Sequence, residues 1–180
     1  MATILSFPSN TIQLWQYHVA NPISIAEQHY SALPQHEQLH AAAFTDPLHR
    51  AQFILCRQFL REKLATFIPT KPSHIPIILS PTGKPSIRES NIQFNQSHRT
   101  NSQTGMLALF AISGDGQVGI DIDNTTLPIN FDRIIEDQFT NTEQQSLLQL
   151  SPELRRASFF KMWTQKEAYL KCLEIGRAHV

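Results

Sequence analysis

Apolar and polar positions change their period several times along the 180-residue chain. Thr11–Val19 (TIQLWQYHV) is rich in β-branched and aromatic residues and predicts a strand. From Ile25 to Phe44 the pattern is helical, with a break at Pro34, which has no amide hydrogen to donate. Asp46-Pro47 has the form of an N-cap followed by proline at the first helical position. The helix it opens is expected to run to about Phe67, with Leu48, Ala51, Ile54, Leu55 and Phe59 on its apolar face. Ile75–Leu79 predicts a short strand and Ser80–Pro85 a turn-dense loop. Met106–Ser113 and Val118–Asp123 predict two further strands, joined as a hairpin through Gly114-Asp-Gly-Gln117. Phe131–Phe139 and Thr142–Leu150 predict short helices, and Ser151-Pro152 opens the strongest one, through about Glu174. Strand, helices, strands and helices follow one another without βαβ alternation, which predicts an α+β fold.

Composition narrows the class. Apolar residues are 41% of the chain, enough for a core and too many for a disordered segment. Charged residues are 17%, below the ~25% of average domains. Lys+Arg 15 balances Asp+Glu 15, so no basic excess is present to hold a polyanion, and nucleic acid is not an expected partner. Two cysteines, Cys56 and Cys172, make no disulfide framework and are expected to be free thiols. The first ten residues lack the basic start and apolar stretch of a secretory signal, and Met106–Ile112 is far short of the ~20 apolar residues of a membrane span. A cytoplasmic protein without a membrane partner is expected.

Four local features carry possible chemistry. In Gly119-Ile-Asp-Ile-Asp123, residues two apart on a strand share a face, ~6.5 Å apart, so Asp121 and Asp123 stand together and Ile120 and Ile122 oppose them. Paired carboxylates repel unless a cation joins them, and their oxygens suit Mg²⁺; a solvated strand face is the plain alternative. In the last helix Phe160, Trp163, Glu167 and Leu170 fall on one stripe. A carboxylate inside an apolar stripe is costly unless partnered, by a metal or by Lys171 at i+4. A capping box at Thr164–Glu167 is disfavoured because the apolar period continues upstream. Lys166, about 100° away around the helix, is expected to be solvated or to face a partner. The third feature is the rigid turn Pro81-Thr-Gly-Lys-Pro85, which presents one lysine. The fourth is Phe94-Asn-Gln-Ser-His98, one of 8 histidines in the chain.

In this order, Gly-Lys-Pro, Phe-Asn-x-Ser-His, Gly-Ile-Asp-Ile-Asp and Trp-Thr-x-Lys-Glu-Ala-x-x-Lys resemble the 4′-phosphopantetheinyl transferases, of the longer, pseudo-dimeric kind that modifies carrier proteins. Cys56-Arg-Gln-Phe-Leu-Arg61 is similar to that family's Arg-x-x-Leu-Arg helix. The resemblance spans roughly Ala43 to Gly176. It implies an enzyme that transfers the phosphopantetheine arm of coenzyme A to a serine of an acyl or peptidyl carrier protein and releases adenosine 3′,5′-bisphosphate. Matched position by position, it implies Asp121, Asp123 and Glu167 as Mg²⁺ ligands. It further implies Glu167 as the acceptor of the serine proton, directly or through a metal-bound water, and Lys171 as the group that neutralises phosphate charge. His98 and Ser97 are implied at a coenzyme A phosphate, Lys84 and Gly83 at the nucleotide, and Arg57 at a further phosphate. Trp163 is assigned to packing.

The resemblance further implies two similar halves, each a long helix on a small sheet, with the site at their junction. Residues 1–104 would form the coenzyme A-binding half and 105–174 the metal-binding half, in a monomer. The family's second half continues beyond the Trp-Thr-x-Lys-Glu helix, so this one is expected to be incomplete. Ile175-Gly-Arg-Ala-His-Val180 matches the translation of a common sequencing-adapter read and is expected to be a non-native tail. Two positions depart from the family pattern. Asp123 stands where Glu is commoner. Gln35–Ala43 holds no Lys or Arg where the family often has basic residues for the 3′-phosphate. A metal-dependent phosphodiesterase and an inactive fragment of the transferase are the alternative readings.

Overall fold

The structure, a computed structural model, describes residues 11–80, 83–101, 104–125 and 130–173. Its centre is strand β5 (Gly105–Ser113), flanked antiparallel by β1 (Ile12–Val19) on one edge and β4 (Gln93–Asn101) on the other. The register sets Leu14 and Asn95 against Ala111, and Gln16 and Ser97 against Leu109. Helix α3 (Pro47–Leu64) packs on one face of this sheet: the Phe59 ring stacks on Tyr17 and meets Phe110. Ile54, Leu55, Leu60 and Leu64 of α3 join Phe94 and Ile112 in the main core. As the sequence predicts, Asp46 caps α3, its Oδ1 accepting the Leu48 and His49 amides at 2.7 and 3.0 Å.

Ahead of α3 lie α1 (Pro22–Tyr30) and α2 (Gln35–Ala42), separated near Pro34 as expected. A buried ionic cluster fixes α2 to α3. The Arg61 guanidinium, fully buried, donates to both Glu37 carboxylate oxygens at 2.7 and 2.9 Å. It also donates to the Pro72 and Ile75 carbonyls at 2.8 and 2.9 Å. Beyond these, β2 (Ile77–Leu79) and β3 (Pro85–Ile87) form a two-stranded sheet.

The expected hairpin of Met106–Ser113 with Val118–Asp123 does not form. Strand β5 has two edges, and β1 and β4 fill both. Residues 118–123 carry no ladder to a neighbouring strand. The boundary expected after residue 104 falls between β4 and β5, which pair from Gln93–Ser113 to Asn101–Gly105.

A second, smaller core joins α4 (Phe131–Gln138), α5 (Asn141–Leu148) and α6 (Pro152–Leu173). Phe139, Phe159 and Trp163 stack within it, which bears out packing as the role of Trp163. Thr140 and Glu143 close a capping box at the start of α5. Lys166, expected to be solvated or partner-facing, is partly exposed and has its partner within the chain: it pairs with Glu143 at 2.8 Å and lies 5.0 Å from the Phe139 ring centroid. The α+β class stands, and among the described residues no helix is long and apolar enough to cross a membrane.

Candidate active site

Strand β4 positions the site by alternation. Asn95, Ser97 and Arg99 share one side, and each reaches residues 120–123. Asn95 Oδ1 accepts the Ile120 amide at 3.1 Å, and Ser97 Oγ accepts the Ile122 amide at 3.3 Å. Ser97 Oγ also donates to Asp121 Oδ1 at 2.9 Å, and Arg99 pairs with Asp123. A two-residue step on β4 thus matches a two-residue step on the neighbouring segment. Side-chain oxygens supply the acceptors that a neighbouring backbone supplies in a sheet.

Helix α6 closes the site from the other direction. A Cβ on Gly119 would stand 1.9 Å from the Ala168 carbonyl oxygen and 2.6 Å from the Cys172 nitrogen. Only a residue without a side chain lets the two backbones approach this closely. That approach brings the end of α6 to Asp121. Lys171 Nζ lies 2.5 Å from Asp121 Oδ1, 3.2 Å from Ser97 Oγ and 3.5 Å from the Ile120 carbonyl. One turn earlier on the same helix, the Glu167 side chain is buried. Lys84 joins from the 80–84 turn, its Nζ donating to the Cys172 carbonyl at 3.3 Å. Gly83 serves that turn at φ 83, in the left-handed region that favours glycine.

His98 alternates to the α3 side of β4, as does Thr100, which accepts a hydrogen bond from Gln52 of α3. Burial, and then the positive charges of Lys171, His49 and Arg99, hold its imidazole below the ordinary histidine value. An approaching phosphate would reverse the balance and favour protonation.

Ser97, Asp121 and Lys171 are therefore in direct contact, with Asp123, Lys84, Glu167 and His98 on the elements around them. Arg57 is held elsewhere. Its Nε pairs with Glu37 Oε1 at 3.2 Å, its guanidinium lies over Phe53, and its Nη1 is buried without a hydrogen-bond partner. Among the described residues no three His, Cys, Asp or Glu side chains form a metal-sized cluster. The carboxylates of Asp121 and Asp123 instead each hold a cationic side chain. Hard oxygen donors that already attract cations fit Mg²⁺ in kind. The sequence motifs give Asn95 and Arg99 no role of their own, and they place Gly119 without showing its approach to α6. Asn95 and Arg99 lie two residues either side of Ser97, so a strand assignment there would have placed them on its face.

Comparison with known proteins adds an independent line. The family profile of the 4′-phosphopantetheinyl transferase superfamily matches residues 117–179. The chain is 30% identical over 178 residues to the 4′-phosphopantetheinyl transferase HetI of Nostoc sp., covering 97% of this chain and 73% of that one. It is 30% identical over 135 residues to the human L-aminoadipate-semialdehyde dehydrogenase-phosphopantetheinyl transferase, covering 68% of this chain and 41% of that one. It is 37% identical over 90 residues to the 4′-phosphopantetheinyl transferase psf-1 of Bacillus pumilus, covering 49% of this chain and 35% of that one.

Proposed function

Since this chain belongs to the 4′-phosphopantetheinyl transferase superfamily, we propose that it transfers the phosphopantetheine arm of coenzyme A to a carrier-protein serine through the site just described. The observation that carries this reading is the convergence of Ser97, Asp121 and Lys171, drawn from β4, the 118–123 segment and α6. A catalyst of phosphoryl transfer must position the phosphate and neutralise its charge. Lys171 brings a cation to a carboxylate site, Lys84 brings a second to the end of α6, and His98 gains a proton as an anion approaches. We assign Lys171 to the reacting phosphate, His98, with Ser97 beside it, to a coenzyme A phosphate, and Lys84, with Gly83 shaping its turn, to the nucleotide.

We assign Asp121, Asp123 and Glu167 to a Mg²⁺ ion. When bound, the ion supplies charge neutralisation and a template for the pyrophosphate. Glu167 is also the group we assign to the serine proton. In the step, the serine oxygen bonds to the phosphorus nearest the pantetheine. The bond from that phosphorus to the oxygen of the departing adenosine 3′,5′-bisphosphate breaks. Arg57, whose Nε pairs with Glu37 while its buried Nη1 has no hydrogen-bond partner, is the group we assign to a further phosphate.

We place the two halves, 1–104 and 105–174, on either side of the site, which draws on both. We place the protein in the cytoplasm as a monomer, with coenzyme A and a carrier protein as partners and neither nucleic acid nor membrane. The balanced charge and the two free thiols support this, the Cys56 thiol being pushed up to about 12 by burial. The binding part is tested by thermal unfolding. Coenzyme A is expected to raise the melting temperature of the wild type, and to raise that of Lys84→Ala and His98→Ala less. No stabilisation of the wild type by coenzyme A contradicts the reading.

A further inference from the structure

The ammonium of Lys171 rests in a nest of three oxygens: the Asp121 carboxylate, the Ser97 hydroxyl and the Ile120 carbonyl, at 2.5, 3.2 and 3.5 Å. This is a cation site whose occupant belongs to the chain. We propose that Lys171 is the resident counter-ion of Asp121, and that a divalent cation reaches Asp121 Oδ1 only by displacing the lysine from it. The inference rests on the assignment of Asp121 to metal binding made above.

Three features support exclusion rather than sharing. The Asp121 side chain is only 10% exposed, so its charge is poorly solvated and needs a partner at all times. Its Oδ1 already receives two donors, the Ser97 hydroxyl and the Lys171 ammonium, which leaves little lone-pair density for a third. An ammonium and a dication on one oxygen repel each other strongly at such short range. Arg99 holds Asp123 in a similar way at the more open rim, with 44% of its side chain exposed.

The lysine is suited to leave. Its side chain is 27% exposed, and its flexible four-carbon stem can carry the ammonium to water without moving α6. Displacement frees a positive charge at the moment a divalent cation enters. The freed ammonium stays within reach of the same cleft, available to a phosphate oxygen. Occupancy by the divalent cation and availability of Lys171 are thereby coupled. Before displacement the chain keeps its carboxylate neutralised and its site closed to stray cations.

The experiment measures Mn²⁺ binding by the loss of the free-ion electron paramagnetic resonance signal, without coenzyme A or carrier. The proteins are the wild type, Lys171→Met, Lys171→Arg and Asp121→Asn. Lys171→Met removes the competitor and is expected to bind Mn²⁺ roughly threefold to tenfold more tightly than the wild type. Lys171→Arg keeps a cation at the site and is expected to stay within about twofold of the wild type. Asp121→Asn is expected to weaken binding sharply. Equal or weaker Mn²⁺ binding by Lys171→Met overturns the proposal, as does binding by neither that variant nor the wild type.

Thermal unfolding covers the case of a poorly folded variant. Lys171→Met is expected to melt below the wild type without metal, and to gain more on adding Mn²⁺ than the wild type gains. An equal or smaller gain overturns the proposal. Tighter Mn²⁺ binding by Lys171→Met, together with no modification of any carrier, would keep the displacement and remove the transferase reading.

Discussion

Burial, and then the positive charges of Lys171, His49 and Arg99, hold the His98 imidazole below the ordinary histidine value. The sign of the consequence follows from linkage. His98 in the folded chain refuses a proton that the unfolded chain takes up as pH falls through about 6.5, so its contribution to stability is full above that pH and is lost below it. The wild type is therefore expected to lose melting temperature between about pH 7.5 and 5.5, and His98→Gln to lose less. Equal slopes in the two proteins would contradict the environment assigned to His98. Glu37 makes the opposite case, a carboxylate whose loss strands its partners. Glu37→Ala leaves the Arg61 and Arg57 guanidiniums buried without their anion. It is expected to cost about 3–5 kcal/mol in urea unfolding. A cost near zero would show the cluster to be relaxed by water.

Among the elements, β4 and the 118–123 segment meet through side chains. Asn95→Leu removes the acceptor of the Ile120 amide, at an expected cost of about 1–3 kcal/mol. Asn95→Asp keeps an acceptor oxygen and is expected to recover most of that loss. Equal losses in the two variants would show that the contact is packing alone. Gly119→Ala forces a methyl into the Ala168 carbonyl and is expected to cost about 1–3 kcal/mol, read by thermal unfolding. Helices α3 and α6 and strand β5 were legible in the sequence because their signals are local: a cap, a proline and an apolar period. Strand β4 was not, because QFNQSHRTN shows no apolar alternation. Its polar side chains are there to bond the neighbouring segment and α3. Residues 118–123 looked like a hairpin partner because alternation reveals an extended chain but not what lies beside it. The competition for the two edges of β5 is a long-range fact. The pairing of Arg57 with Glu37 was hidden for a related reason: the carboxylate sits in a polar helix, QHEQLHAA, with nothing to mark Glu37 as buried.

At the scale of the whole molecule, two cores are linked through the 119–123 segment, which bonds β4 on one side and meets the end of α6 on the other. The larger is built on β1, β5, β4 and α3, and the smaller on α4, α5 and α6. Ser97, Asp121, Lys171 and Lys84 lie where β4 meets the end of α6, and no single core could assemble them. That explains why the motifs were legible as an ordered set while each alone was weak: they are far apart in sequence and close only across this junction. The central claim is that this junction transfers the phosphopantetheine arm. It is tested most directly by mass spectrometry of an apo carrier protein incubated with the chain, coenzyme A and Mg²⁺. The account predicts that the carrier gains the mass of one phosphopantetheine arm on its serine, and that Asp121→Ala largely abolishes the gain. A well-folded sample that leaves the carrier mass unchanged, or an Asp121→Ala variant with full activity, would contradict it.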